Sequence, residues 1–273
     1  ADLSDEALLK SLQDEPLPEL PQASMETSAP TQTFAFMPGG AIGPNVHMMV
    51  KAGFDSVFIG IESPDEDSLT ECRKTHNQNR DLLQDIHKIH RSGLQVMGGF
   101  IVGFDSDTPS IFQRQIDFIQ KSGIVSAMVG MLQAPPGTRL FERLMREQRV
   151  SKAFSGDNVD GRTNIIPAMG LERLIDGYRA IMKQIYSPRK YYQRVRRVLK
   201  ELKLPVVTVP VDSQRLLAFF RACLRLGSLG KERYQYWHLL MWTLVRRPRL
   251  LPLAVTLAIY GYHYRKICEL HIL

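Results

Sequence analysis

Four stretches of this 273-residue chain combine residue types and spacings suited to ligand chemistry. The first is Phe58-Ile-Gly-Ile-Glu62-Ser63, an apolar run that ends abruptly in a carboxylate. A carboxylate at a strand end can accept hydrogen bonds from ribose hydroxyls or from an ammonium group. It can equally act as an N-cap-like acid for the helix that Ser-Pro-Asp-Glu-Asp-Ser-Leu would start, where the dipole favours negative charge. The second is Gly99-Phe-Ile101-Val-Gly103, followed by Asp105 and Asp107. Glycine weakens a strand interior and usually marks a close approach by another backbone or a ligand. Here the bare patch suits either a flat ring lying on the backbone or tight helix packing. Asp107, just before Thr108-Pro109, reads as a helix N-cap rather than a catalytic acid.

The third stretch, Gln133-Ala-Pro-Pro-Gly137, closes another apolar run. The fourth holds His76, His87 and His90. His87 and His90 stand three apart in a basic segment with no partnering acid motif, so both are expected at the surface and no metal site is expected. Cys72, Cys223 and Cys268 lie 151 and 45 residues apart, which is neither a zinc spacing nor a disulfide framework. They suggest a reducing, cytoplasmic setting. There is no GxSxG and no P-loop, and the Gly-rich stretch at 39–43 lacks a preceding strand.

Elements that would position these residues follow from a rhythm. Gly53, Gly93 and Gly123 each follow a basic and a small residue and precede a strand-like run, as helix-ending glycines do. The expected strands are Ser56–Ile61, Gln95–Val102 and Ser126–Leu132, apolar on both faces like parallel strands covered by helices. Between them, Leu82, Leu83, Ile86 and Ile89 share one helical face, with Asn79 as the expected N-cap. Ile111, Phe112, Ile116 and Ile119 share another, with Pro109 near the first turn. Helix and strand in alternation mean βα units in a parallel sheet, with ligands at the C-terminal strand ends.

Charge divides the chain. Residues 1–170 carry 15 Lys and Arg against 22 Asp and Glu, and residues 171–273 carry 20 against 6. A domain edge near Gly170 is therefore expected. Residues 1–46, with six prolines, read as a disordered leader apart from a short helix at Leu3–Leu12. The order that follows is βα units over 47–150, a linker over 151–170 and a basic helical domain over 171–273. No nucleic-acid motif accompanies the basic half, so no nucleic acid is expected. The apolar stretch 250–262 is shorter than the roughly 20 residues that span a bilayer. A buried helix pair is expected there, with weak membrane-surface association through 237–266 as the alternative, Trp237 and Trp242 at the headgroups.

Three long segments, AGFDSVFIGIESPDEDSLTECRK, GLQVMGGFIVGFDSDTPSIFQRQIDFIQKSGI and VGMLQAPPGTRLFERL, resemble the latter part of radical S-adenosylmethionine (radical SAM) enzymes. The likeness is to the subgroup with an N-terminal cobalamin-binding domain. FSGDN, SPRKYYQRV and LLMWTLVRRPRLLPLAVTLAIYGYHYRK resemble that subgroup's helical C-terminal domain of unknown function. The resemblance covers about four-fifths of the chain. It implies a partial, TIM-like barrel, half of it present here, that binds S-adenosylmethionine (SAM) across its strand ends. Glu62 and Ser63 would approach the ribose or amino-acid portion. Gly99, Ile101 and Gly103 match the GxIxG strand that lies against adenine, and Val129–Gln133 would complete the pocket. The family has Glu after this motif; here Asp105 and Asp107 flank the position.

The resemblance also implies a 4Fe-4S cluster held by a CxxxCxxC loop, reductive SAM cleavage to a 5′-deoxyadenosyl radical, and cobalamin-assisted methyl transfer. The chain has no CxxxCxxC, and neither the cobalamin domain nor the first three strands are found. The expectation is a truncated protein with little or no catalysis of its own and an unknown substrate. Its alternatives are a module that completes its barrel against a cluster-bearing partner through the edge strand Ser56–Ile61, or a membrane-surface protein.

Overall fold

The computed structural model describes residues 34–37, 45–151, 153–156, 161–203 and 213–272. The leader helix expected at Leu3–Leu12 lies outside the described residues. Four parallel strands make one sheet in sequence order: β1 (Phe34–Met37), β2 (Ser56–Glu62), β3 (Gln95–Val102) and β4 (Ala127–Met131). Helices α1 (Asn45–Lys51), α2 (Glu66–Glu71), α3 (Leu82–Ser92) and α4 (Ile111–Ser122) connect them. The three glycines do what their positions require. Gly53, Gly93 and Gly123 sit at φ +90°, +109° and +77°, turning each helix back into the next strand.

Two boundaries differ from the reading of the sequence. Strand β1 falls inside the expected leader and pairs with β2, Phe36 opposite Phe58. Its four residues are too short a run to stand out from the prolines around them. The segment Ser56–Ile61 is consequently an inner strand and not the edge a partner would extend. Asn79 does not cap α3. It takes φ +52°, and Asp81 caps instead, its Oδ1 accepting from Gln84 N at 3.0 Å.

The sheet is covered by helices on one face. Val57, Ile59, Ile61, Val96, Phe100, Val102, Ala127 and Val129 point into a core shared with Ile86 and Ile89 of α3 and Ile116 and Ile119 of α4. The alternate residues Phe58, Met97, Gly99 and Ile101 are only half-buried, and Met128 is exposed. Apolar composition on both faces therefore has two origins. One face is core; the other is an open apolar surface.

After β4 come α5 (Arg139–Arg146), α6 (Leu171–Ile185), α7 (Pro188–Glu201), α8 (Ser213–Ala222) running into a π-helical turn (Cys223–Ser228), α9 (Arg233–Arg246) and α10 (Leu251–His271). The core does not break at Gly170, because Leu174, Ile181, Val195, Val198 and Leu257 belong to the same apolar cluster as the strands. Close helix crossings explain two glycines. A Cβ on Gly177 of α6 would lie 2.2 Å from the Phe112 ring, and one on Gly261 of α10 would lie 2.2 Å from the Tyr191 ring. Arg194 of α7 is fully buried, donating to Ile124 O at 3.0 Å and to Gln120 Oε1 at 3.2 Å beside the Tyr186 and Tyr191 rings. Burial pushes its guanidinium down to about 10. Beside the shared apolar core, Arg194 and Arg197 of the basic half donate to backbone carbonyls of the acidic half, Arg197 to Lys121 O at 2.9 Å. Among the described residues no helix is long and apolar enough to cross a membrane.

Candidate functional site

Strand order and register bring Glu62 and Gly99 together. Gly60 is the register partner of Gly99, and the β2–β3 register slips between Gly60 and Glu62. At that slip Glu62 takes φ +66°, a left-handed conformation that costs a non-glycine residue about 1 kcal/mol. The turn folds its carboxylate back over the open face. A Cβ on Gly60 would lie 2.8 Å from Glu62 Oε1, so the bare glycine is what lets the carboxylate rest on the strand here. Lys74 Nζ meets the same oxygen at 3.1 Å. Strain of this kind at a strand end is a pointer toward function.

Gly99 has the tight contact expected of it, but with a ring of the protein itself. A Cβ there would lie 2.9 Å from Phe58 Cζ. On β4 the row ends at Met128, the register partner of Gly99, while Gly130 lies further along the same face, opposite Ile101. The open face thus carries Gly60 and Gly99 side by side on β2 and β3, with Met128 completing the row on β4 and Phe58, Met97 and the Glu62–Lys74 pair at its border.

The other candidates separate from this patch. Ser63 is fully buried, its Oγ accepting from Asp65 N at 3.2 Å inside the turn before α2. The cap of α2 belongs to Asp65, which accepts from Asp67 N at 3.0 Å and Ser68 N at 3.3 Å; Glu62 is left out of that role. Gly103, at φ +105°, faces Leu174 of α6, 2.9 Å from where its Cβ would be. Ile101 packs against a second apolar cluster built on Phe104, Leu132, Ala134, Leu144 and Ile165.

Asp107 caps no helix. Its buried carboxylate accepts from Gly103 N at 2.8 Å, Phe104 N at 3.1 Å and Ser68 Oγ at 2.7 Å. Burial raises its pKa in spite of those three donors. Glu71 of α2 accepts from the next two amides, Asp105 N at 3.2 Å and Ser106 N at 3.0 Å. Asp105 points outward between Arg149, at 2.5 Å, and Arg143, at 2.7 Å. The Arg149 hydrogen bond, helped by Arg143, holds its carboxyl below the usual carboxylate range.

Gln133 stands beyond β4, nearly buried, at the wall of a cavity of about 500 Å³. Met131, Phe154, Arg162, Leu171 and Ile175 also line it. Asn164 ties this wall to the strand exit. Its side chain accepts from Ala134 N at 2.9 Å and donates to Ala134 O at 2.8 Å, replacing a strand partner. Lys74, Glu71, Arg143, Arg149 and Asn164 were not singled out by sequence, because their partners are 12 to 44 residues away and no motif joins them.

His76 is exposed as expected, but the histidines of α3 depart from expectation. His90 of α3 is 1% exposed, and burial holds its ring down to about 3. His87, on the same helix, bonds Glu201 Oε2 of α7 through Nδ1 at 2.6 Å.

Residues 138–272 match the family described as a domain of unknown function, DUF4070. An uncharacterized methyltransferase of Synechocystis sp. is 32% identical over 228 residues, 82% of this chain and 42% of that protein. The hopanoid C-2 methylase of Rhodopseudomonas palustris is 30% identical over 149 residues, 55% of this chain and 27% of the relative. The bacteriochlorophyllide d C-12(1)-methyltransferase of Chlorobaculum tepidum is 27% identical over 139 residues, 50% and 30%. The chain is similar to the cobalamin-type radical SAM family, to which the matched domain and these relatives belong. It spans less than half the length of each of these relatives.

A radical SAM protein needs three thiolates around a cluster, and the cysteines here do not fit that demand. Cys72 Sγ lies against Leu69 O at 3.6 Å, Cys223 Sγ against the Tyr236 hydroxyl at 3.5 Å, and Cys268 is buried in α10. Among the described residues no group able to hold a metal contains cysteine. No described residue assigns a place to cobalamin. What the chain does supply is a parallel sheet with Gly60 facing Gly99, a strained acid at its rim and a separate cavity past the end of β4.

Proposed function

We propose that this chain supplies the nucleoside side of a SAM-dependent methyl-transfer site on a partial barrel. The observation that carries the reading is Glu62, strained at φ +66° and folded over Gly60 beside Gly99 at the C-terminal rim of a parallel sheet. Its carboxylate suits ribose hydroxyls or the ammonium group of SAM, and Lys74, 3.1 Å from that carboxylate, suits the SAM carboxylate. The glycine pair takes the adenine ring once Phe58 swings aside. The cavity at Gln133, with apolar Met131, Phe154, Leu171 and Ile175 in its lining, suits a mainly apolar methyl acceptor held by few polar groups. The relatives named for a hopanoid and a bacteriochlorophyllide fit that class. A cluster, when bound to a family member, supplies the electron that cleaves SAM; these 273 residues hold no CxxxCxxC for it.

Calorimetric titration with SAM tests the proposal. The wild-type chain binds, Glu62→Gln weakens binding at least about tenfold, and the melting temperature of the variant is unchanged. Equal affinity in the two proteins overturns the assignment of Glu62, and no binding to the wild type overturns the site. Anaerobic reconstitution with iron and sulfide is expected to leave no stoichiometric cluster on this chain.

One surface favours a second reading, contact with an anionic membrane. Leu216, Leu217, Phe220 and Leu224 are exposed along α8 and its π-turn, as are Trp237, Met241, Leu244 and Val245 on α9. Exposed Arg221, Arg225, Arg246 and Arg249 border them. Apolar side chains flanked by arginines suit the headgroup boundary. Flotation with phosphatidylglycerol vesicles at low salt is expected to carry the protein upward, and its failure removes this reading.

A further inference from the structure

Outside the strand-end site, one cluster of side chains has the composition of a metal centre. His87 and His90 lie one turn apart on α3, and Glu201 is the last residue of α7. One ligand atom from each lies within 4.8 Å of the others. Tetrahedral ligands about 2.0–2.2 Å from a zinc ion stand about 3.3 Å apart, so side-chain rotations of roughly 1.5 Å close the set.

A second feature asks for a ligand independently. His90 is 1% exposed, and neither Nδ1 nor Nε2 has a hydrogen-bond partner. A buried polar atom left unpaired costs about 1–3 kcal/mol, and a neutral imidazole has two here. A cation bound by one nitrogen removes the larger part of that deficit.

The third ligand is anchored before any ion arrives. Arg247 donates to Lys200 O at 2.8 Å and to Leu202 O at 2.5 Å, on either side of Glu201. Lys203 N donates to His90 O at 3.3 Å, fixing the end of α7 against the end of α3. The Glu201 carboxylate is thus held at the two imidazoles, with His87 Nδ1 already 2.6 Å from Oε2. Helix spacing of three places both rings on one side of α3, and their centroids are 6.5 Å apart at 72°.

We propose that His87, His90 and Glu201 bind one divalent transition-metal ion of the zinc class, with water as the fourth ligand. Two imidazoles and one carboxylate are a borderline donor set that favours zinc over calcium or magnesium. The ion joins α3, which packs on the sheet, to α7 of the basic helical half. Its position is apart from the glycine pair and from the cavity at Gln133, and the role is structural.

Titration with Zn²⁺ alone, and with Co²⁺ as a spectroscopic stand-in, tests this on the untagged full chain. The wild type is expected to take up one equivalent, show the visible absorption of four-coordinate Co²⁺, and melt higher with Zn²⁺ than without it. Glu201→Gln and His87→Gln, both at half-exposed positions, are expected to weaken Zn²⁺ at least about tenfold and to abolish the zinc-dependent rise in melting temperature. Their metal-free melting temperatures, measured alongside, establish that they fold. Wild-type protein that binds no stoichiometric Zn²⁺ overturns the proposal. So does Zn²⁺ affinity unchanged in both variants, which would place the ion on His47, His76, His238, His263 or His271 instead.

Discussion

Two acids at neighbouring strand ends are treated in opposite ways. Glu62, after β2, is strained, makes one ion pair with Lys74 and lies over bare glycine backbone. The turn after β3 is saturated. Four successive amides from Gly103 to Ser106 are taken by the carboxylates of Asp107 and Glu71, and Asp105 is clamped by Arg143 and Arg149. A group that every neighbour satisfies is architecture. A group held at a cost with one weak partner has capacity left for a ligand, and that contrast separates Glu62 from the aspartates beside it in the sequence pattern.

The contrast breaks most sharply at Asp107. Asp107→Ala leaves Gly103 N and Phe104 N without an acceptor in a buried turn, at about 1–3 kcal/mol for each amide. A total loss of about 3 kcal/mol in urea unfolding is expected. Asp107→Asn, which keeps one acceptor oxygen, should lose less than half of that. A loss under about 1 kcal/mol for the alanine variant would show that the turn does not depend on its carboxylate, and the distinction from Glu62 would lapse.

How much of this was legible in the sequence depended on distance along the chain. The parallel βα order, the helix-ending glycines and the span Gln95–Val102 follow from local rules, and the structure has them. The adjacency of β2 and β3, with Gly60 the register partner of Gly99, follows from putting two such strands side by side. What failed was nonlocal. Asp107 looked like a cap because Thr108-Pro109 follows it, yet its partners come from the loop before it and from Ser68 of α2. His90 looked exposed because its own helix is basic. The helix that buries it begins 98 residues later, at Pro188, and brings Glu201 with it. β1 was lost among prolines because four residues carry too little periodicity to register.

Asp105 gives the smaller and more diagnostic test. Its carboxyl is depressed first by the Arg149 hydrogen bond and then by Arg143, so the folded state binds its proton less readily than the unfolded chain does. The stabilisation is therefore complete above the unfolded value of about 3.9 and disappears as pH falls through the lower folded value. Both partners are partly exposed, which limits the contribution to about 1 kcal/mol. Asp105→Asn is expected to cost that amount at pH 7 and at pH 5, and nothing at about pH 2. SAM affinity at pH 7 should be unchanged in the same variant, since the arginines and not a ligand occupy the carboxylate. Equal stability of the two proteins at pH 7, or a difference that persists in acid, would mean that the clamp is not electrostatic. Weakened SAM binding would move Asp105 to the ligand side of the comparison, where Glu62 now stands alone.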